Sequence, residues 1–171
     1  MMGTDIILGN VFSLCAMATD SISGTRKKHS QMMAIQIVSQ FFYAASSIAL
    51  KAYSSTAQNA VAVFRNYAAM KNVKSKVMEW VLILAGVVLG IVLNNRGLLG
   101  WLPIMANLEY SIAVFQFKNN ETALKLAFIM NMVMYAVFSL VIMNYVGAAS
   151  CTVIAVTTAV SLIRTKKEAD Q

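Results

Sequence analysis

Tyr43-Ala44-x-x-Ser47-x-x-x-x-x-Tyr53 lies in one apolar stretch and runs into the next, and it returns 92 positions later as Tyr135-Ala136-x-x-Ser139-x-x-x-x-x-Tyr145. At the same offset Arg26 falls on Lys118 and Ser30 on Thr122. Several agreements at one register, with no gap between them, point to duplication of a unit made of three apolar segments.

Outward from this pair, the chain divides into seven stretches that match a bilayer crossing, which takes about 20 residues at about 1.5 Å each with every backbone polar group paired inside the helix. They are expected near residues 5–23, 31–51, 54–71, 77–94, 97–117, 121–143 and 146–164. The first lacks a basic start and ends in Asp20-Ser21-Ile22-Ser23, with no small-x-small cleavage site, so it reads as a retained helix and not a signal peptide. The third is interrupted by Gln58, Asn59, Arg65 and Asn66, so it is expected to lie under protein neighbours. Composition agrees with lipid as the solvent: 171 residues with 58% hydrophobic and 12% charged content cannot cover themselves with polar surface.

Basic residues follow the odd-numbered segments: Arg26, Lys27 and Lys28, then Lys71, Lys74 and Lys76, then Lys118, then Arg164, Lys166 and Lys167. The opposite loops carry only Lys51 and Arg96. The positive-inside rule therefore predicts an outer amino terminus and a cytoplasmic carboxyl terminus, as an odd number of crossings requires. Three segments end on the side opposite to their start, and a fourth restores it, so the two copies run parallel. The expected architecture is all-α, one membrane domain over 1–171, with repeat 1 at about 5–71, a linker helix at about 77–94, repeat 2 at about 97–164 and a short tail at 165–171.

This 3+1+3 layout is similar to the SWEET and PQ-loop superfamily of small transporters. More narrowly, Asn59-x-x-x-x-x-Arg65-Asn66, Leu99-x-x-Leu102-Pro103-Ile104 and the Tyr/Ser pattern of the sixth segment resemble the YgjV-type bacterial inner-membrane proteins. The resemblance covers nearly the whole chain. It implies carriage of a small solute by alternating access, with the third and seventh helices facing the substrate, and it allows a homo-oligomer. Superfamily members flex at a proline in the first helix of each repeat, whereas here Pro103 stands alone and its counterpart is Val11, with Gly9 as a nearby substitute.

Charged groups inside a bilayer cost several kcal/mol unless paired or wet, which makes Asp20, Arg65 and Glu109 the first candidates for function. Counted from the expected helix ends at 1.5 Å per residue, they lie roughly 6, 9 and 12 Å below one surface. Arg65 has the planar fork to hold an anionic or carboxylate-bearing group, or it ties helices together through Asp20 or Glu109; either carboxyl could instead carry a proton. The repeat mates of the three are Ile112 for Asp20, Thr157 for Arg65 and Met17 for Glu109, so the charge belongs to one copy at each position. Gln36, Gln40, Asn59, Asn107 and Asn131 are placed deeper and together suit a polar solute; taken singly, each is better explained as helix-to-helix glue. Asn59 and Asn66 are seven apart and share a face with the small Ala62 between them. The expected binding or pore-lining set is therefore Asp20, Gln40, Asn59, Arg65, Asn66, Asn107, Glu109 and Asn131.

Other classes are disfavoured. The net charge of +7 is spread over loops and tail, which argues against nucleic acid as a partner. Cys15 and Cys151 lie in apolar segments without metal-ligand spacing, and His29 sits in a basic loop, so no metal or cofactor is expected. No nucleophile-and-base set, phosphate loop or metal motif can be assembled, and an enzyme is not expected.

Overall fold

A computed structural model of the chain describes residues 3–24, 29–117 and 120–169. These form seven α-helices: α1 (Thr4–Gly24), α2 (His29–Ala49), α3 (Tyr53–Met70), α4 (Lys76–Val92), α5 (Trp101–Gln116), α6 (Glu121–Val141) and α7 (Tyr145–Ala169), with a 3-10 turn at Gly97–Gly100 leading into α5. Arg26, Lys27, Lys28 and Lys118 lie outside the described residues, as do the last two residues of the tail and the side chains of Gly24, His29 and of 164–169.

Five of the segments are long and apolar enough to cross a membrane: α1, α2, Gly97–Gln116, α6 and α7. The other two fall short for different reasons. α4 is strongly apolar but has 17 residues, whereas α3 carries the polar residues noted above and buries ten of its 18 residues, Gln58, Asn59, Arg65 and Asn66 among them. Elsewhere the pattern is that of a lipid-facing bundle, with large apolar side chains such as Phe41, Phe64, Val92, Leu98 and Ile163 pointing outward and serines, amides and the guanidinium turned inward.

α1 packs on α2 and α7, α2 on α3, α3 on α5, α5 on α6 and α6 on α7, so six helices close a ring. α4 stays outside it, against α3 and α5. Two glycines let it approach: a Cβ at Gly90 would come within 2.7 Å of Ile104 Cγ1, and one at Gly86 within 3.2 Å of Asn107 Nδ2. Gly9 has a similar use, since a Cβ there would lie 2.6 Å from Leu50 Cγ; it seats α1 against the end of α2. Pro103 occupies the third position of α5, directly after the 3-10 turn, where its missing N–H breaks no helical bond.

The α2–α3 and α6–α7 turns are built alike. Ala52 N donates to Ser47 O at 2.8 Å and Asn144 N donates to Ser139 O at 2.8 Å, and the preceding residues Lys51 and Met143 take φ of 54° and 60°. The two turns share one end of the bundle with the α4–α5 loop and the start of α1. Asn95 Nδ2 donates to Lys51 O (2.7 Å), Arg96 Nη2 to Leu50 O (3.0 Å) and Asn10 Nδ2 to Met143 O (3.2 Å), while Lys51 pairs with Asp5 (3.3 Å). Successive helices therefore alternate in direction through the bundle.

Candidate functional site: a polar cavity inside the helix ring

The ring encloses a cavity of about 60 Å³ whose walls come from all six of its helices and not from α4. That is room for ordered water among polar partners. The lining is amphipathic: Asp20 on α1, Gln40 and Tyr43 on α2, Asn59 and Arg65 on α3, Asn107 and Tyr110 on α5, Asn131 and Tyr135 on α6, and Cys151 on α7.

Arg65 reaches this space because α3 is buried between α2, α4 and α5. Its residue is 3% exposed, so the guanidinium does not snorkel to a surface. Nη1 donates to Asn107 Oδ1 (2.5 Å) and Ser111 Oγ (3.2 Å), Nε donates to Asn66 Oδ1 (3.1 Å), and the fork lies over the Tyr110 ring at 4.8 Å. All of these partners are neutral. Among the described residues the ion pairs are Lys51–Asp5 and Lys125–Glu121, so neither Asp20 nor Glu109 neutralises Arg65.

The guanidinium sits within a chain of amides that crosses four helices. Gln58 Nε2 donates to Gly86 O on α4 (2.8 Å), Asn107 Nδ2 donates to Gln58 Oε1 (2.7 Å), and beyond Arg65 Asn66 Nδ2 donates to Gln36 Oε1 (3.5 Å). Beside this chain, Asn131 Nδ2 donates to Ala106 O (2.8 Å) and Asn59 Nδ2 to Ser47 Oγ (3.3 Å). On the opposite wall the Asp20 carboxylate accepts from Ser39 Oγ. A second polar knot closes one end of the cavity, where Asn144 Nδ2 donates to Ser13 Oγ (2.7 Å) and Ser46 Oγ (3.2 Å), tying α1 and α2 to the start of α7.

Of the eight residues expected from the sequence, six meet on this cavity: Asp20, Gln40, Asn59, Arg65, Asn107 and Asn131. Asn66 is fully buried behind the wall, where it holds Arg65 instead of lining the space. Glu109 is elsewhere: it lines a separate outward hollow between α5 and α6, so the charged trio does not converge. Cys15 is exposed on the outside of α1, and Cys151 is buried on the cavity wall facing the region of its repeat mate Asn59. Sequence reading left Gln58 out of the binding set and passed over Ser111 and Tyr110. Each had a signal: Gln58 is seven residues from Arg65 on one face of α3, and Tyr110 and Ser111 follow Asn107 by three and four on one face of α5.

Buried amides, a fork-shaped cation with no carboxylate in ion-pair distance among the described residues and an aromatic face are the means to hold a small solute bearing a carboxylate or phosphate. No curated protein and no solved structure matches the chain. The model of the Imp-YgjV family, described as a bacterial inner membrane protein, matches residues 7–169, and the chain belongs to that family.

Proposed function

We propose that this inner membrane protein is a small-molecule carrier, moving a small polar or anionic metabolite through the ring cavity by alternating access between two three-helix repeats. The observation that carries the reading is Arg65, a cation held out of water and out of lipid, facing an internal cavity and unmatched by any carboxylate within ion-pair distance among the described residues. An uncompensated buried charge is costly to keep, and an anionic solute entering the cavity would supply its counter-charge.

Three features support the repeat reading. Exchanging α1–α3 with α5–α7 maps the ring of helix contacts onto itself, the two intra-repeat turns share one hydrogen-bond pattern and sign of φ, and α4 stands outside as a linker. The resemblance to SWEET and PQ-loop transporters rests on this layout. The orientation in which the end bearing the α2–α3, α4–α5 and α6–α7 connections faces outward rests on the basic loops of the sequence.

A cavity of about 60 Å³ is well below the roughly 300 Å³ at which small-molecule pockets begin, so in the carrier reading this is an occluded, contracted state. The same tightness, with the amides bonded to one another, favours a second reading as a receptor-like or interaction protein that binds without transport. Uptake into proteoliposomes separates them. Wild-type protein is expected to accumulate a carboxylate- or phosphate-bearing solute saturably, and Arg65→Ala to abolish this while remaining folded in detergent. Uptake retained in Arg65→Ala overturns the site. A solute that raises the melting temperature of the wild type without being taken up supports the receptor reading.

A further inference from the structure

Glu109 lies outside the ring cavity and has a site of its own. On the outer side of α5 and α6 is a hollow of about 440 Å³, larger than the central cavity and within the range of small-molecule pockets. Its walls are apolar residues of both helices, including Met105, Phe117, Leu126 and Met130, and Glu109 is their one ionisable member among the described residues. Glu109 Oε2 is buried with no hydrogen-bond partner among the described residues. Among them, too, neither ion pair involves it. A carboxylate in apolar surroundings is costly unless it is protonated or something positive meets it. Packing does not require it, because the position 92 residues earlier carries Met17.

We propose that this hollow binds lipophilic cations, meaning amphipathic amines or quaternary ions that insert an apolar body between α5 and α6 and set their positive centre against Glu109. The occupant is read from charge complementarity. Among the described residues the acid supplies the only formal charge in the wall, the Phe117 ring borders the hollow, and Met105 and Met130 are soft, adaptable side chains that fit bodies of varied shape. The site is independent of Arg65 and selects the opposite charge.

The test is equilibrium binding of radiolabelled tetraphenylphosphonium to the purified full chain in detergent, compared with binding of radiolabelled tetraphenylborate, its near-isosteric anion, in separate samples because the two ions precipitate together. Saturable phosphonium binding at least about tenfold tighter than borate binding is expected. Glu109→Gln should weaken it by at least about tenfold, and Glu109→Asp should restore part of it. Borate binding as tight as phosphonium binding would mean a groove for acyl chains, and a Glu109→Gln protein that binds as wild type would remove the acid from the site; either result overturns the proposal. So would cross-linking of the Leu126→Cys protein, with the exposed Cys15 replaced by Ser, into a dimer that phosphonium does not compete with, since the hollow would then be filled by a second copy. Should Glu109→Gln fail to fold, the phosphonium and borate comparison on the wild type decides alone.

Discussion

Helices α3 and α7 open on the same turn and carry different chemistry. Before each, a residue at positive φ is followed by a helix start whose N–H bonds back five residues, Ala52 to Ser47 and Asn144 to Ser139. Yet Ala52 offers no side-chain cap, whereas Asn144 Oδ1 accepts from Gly147 N at 2.8 Å and its amide nitrogen gathers Ser13 and Ser46. Further along, α3 presents Asn59, Arg65 and Asn66 where α7 has Cys151, Thr157 and Thr158. Backbone hydrogen bonds and apolar packing are enough to specify the turn, and they tolerate exchange of the side chains. Between these two helices, the costly polar groups are concentrated in α3.

The largest effect should come from removing the charge of α3. Arg65→Ala leaves the acceptors on Asn66, Asn107 and Ser111 without their donor, and a loss of about 2–3 kcal/mol is expected in denaturant titration, together with loss of solute uptake. The contrasting change, Thr157→Ala on α7, breaks only local bonds to Val153 and Ile154 carbonyls and should be near neutral; equal losses at both would end the claim that the copies differ in kind.

Next in size is the support of α3 from outside. A Leu at Gly90 drives its side chain into Gln58 and Ile104, and about 2 kcal/mol of destabilisation is expected, with uptake falling because Gln58 holds Asn107. Unchanged melting would show that α4 is not seated on the ring. Smaller still, Asn144→Ala gives both turns the residue now found in one of them. Loss of its three side-chain bonds should cost about 1–1.5 kcal/mol by thermal melting, and a neutral result would mean that the turn alone carries this end of the bundle. The smallest change has the opposite sign. Met143→Gly relieves a side chain from left-handed backbone and should stabilise by under about 1 kcal/mol, as should Lys51→Gly; a loss at either would show that its side chain matters more than its φ.

Helix positions were legible in the sequence because a bilayer-length apolar run leaves its backbone few alternatives, and the observed ends of α1 to α4 fall within about two residues of those expected, well inside the usual boundary error. α5 begins later, at Trp101, because Gly97–Gly100 takes up the first turn as 3-10, and α7 runs on to Ala169. Site residues were legible where composition alone marks them, as at Arg65. The misplaced residue was Glu109. Its depth was counted from a helix end, which fixes height but not direction, and two residues of an α-helix are about 200° of rotation, so with Asn107 turned inward Glu109 must face out.

By itself the sequence determined the number of helices, their apolar character, the doubled Tyr/Ser register and the few charges that lipid would not tolerate, all of which depend on local hydrophobicity and spacing. Tertiary structure decided which of those charges share a space. The rotation of each helix about its axis is set by packing against its neighbours, with Gly86 and Gly90 admitting α4 and amides locking α3 to α2 and α5. That rotation sent Arg65 to an internal cavity and Glu109 to an outer hollow, although the two lie within about one helical turn of each other in expected depth.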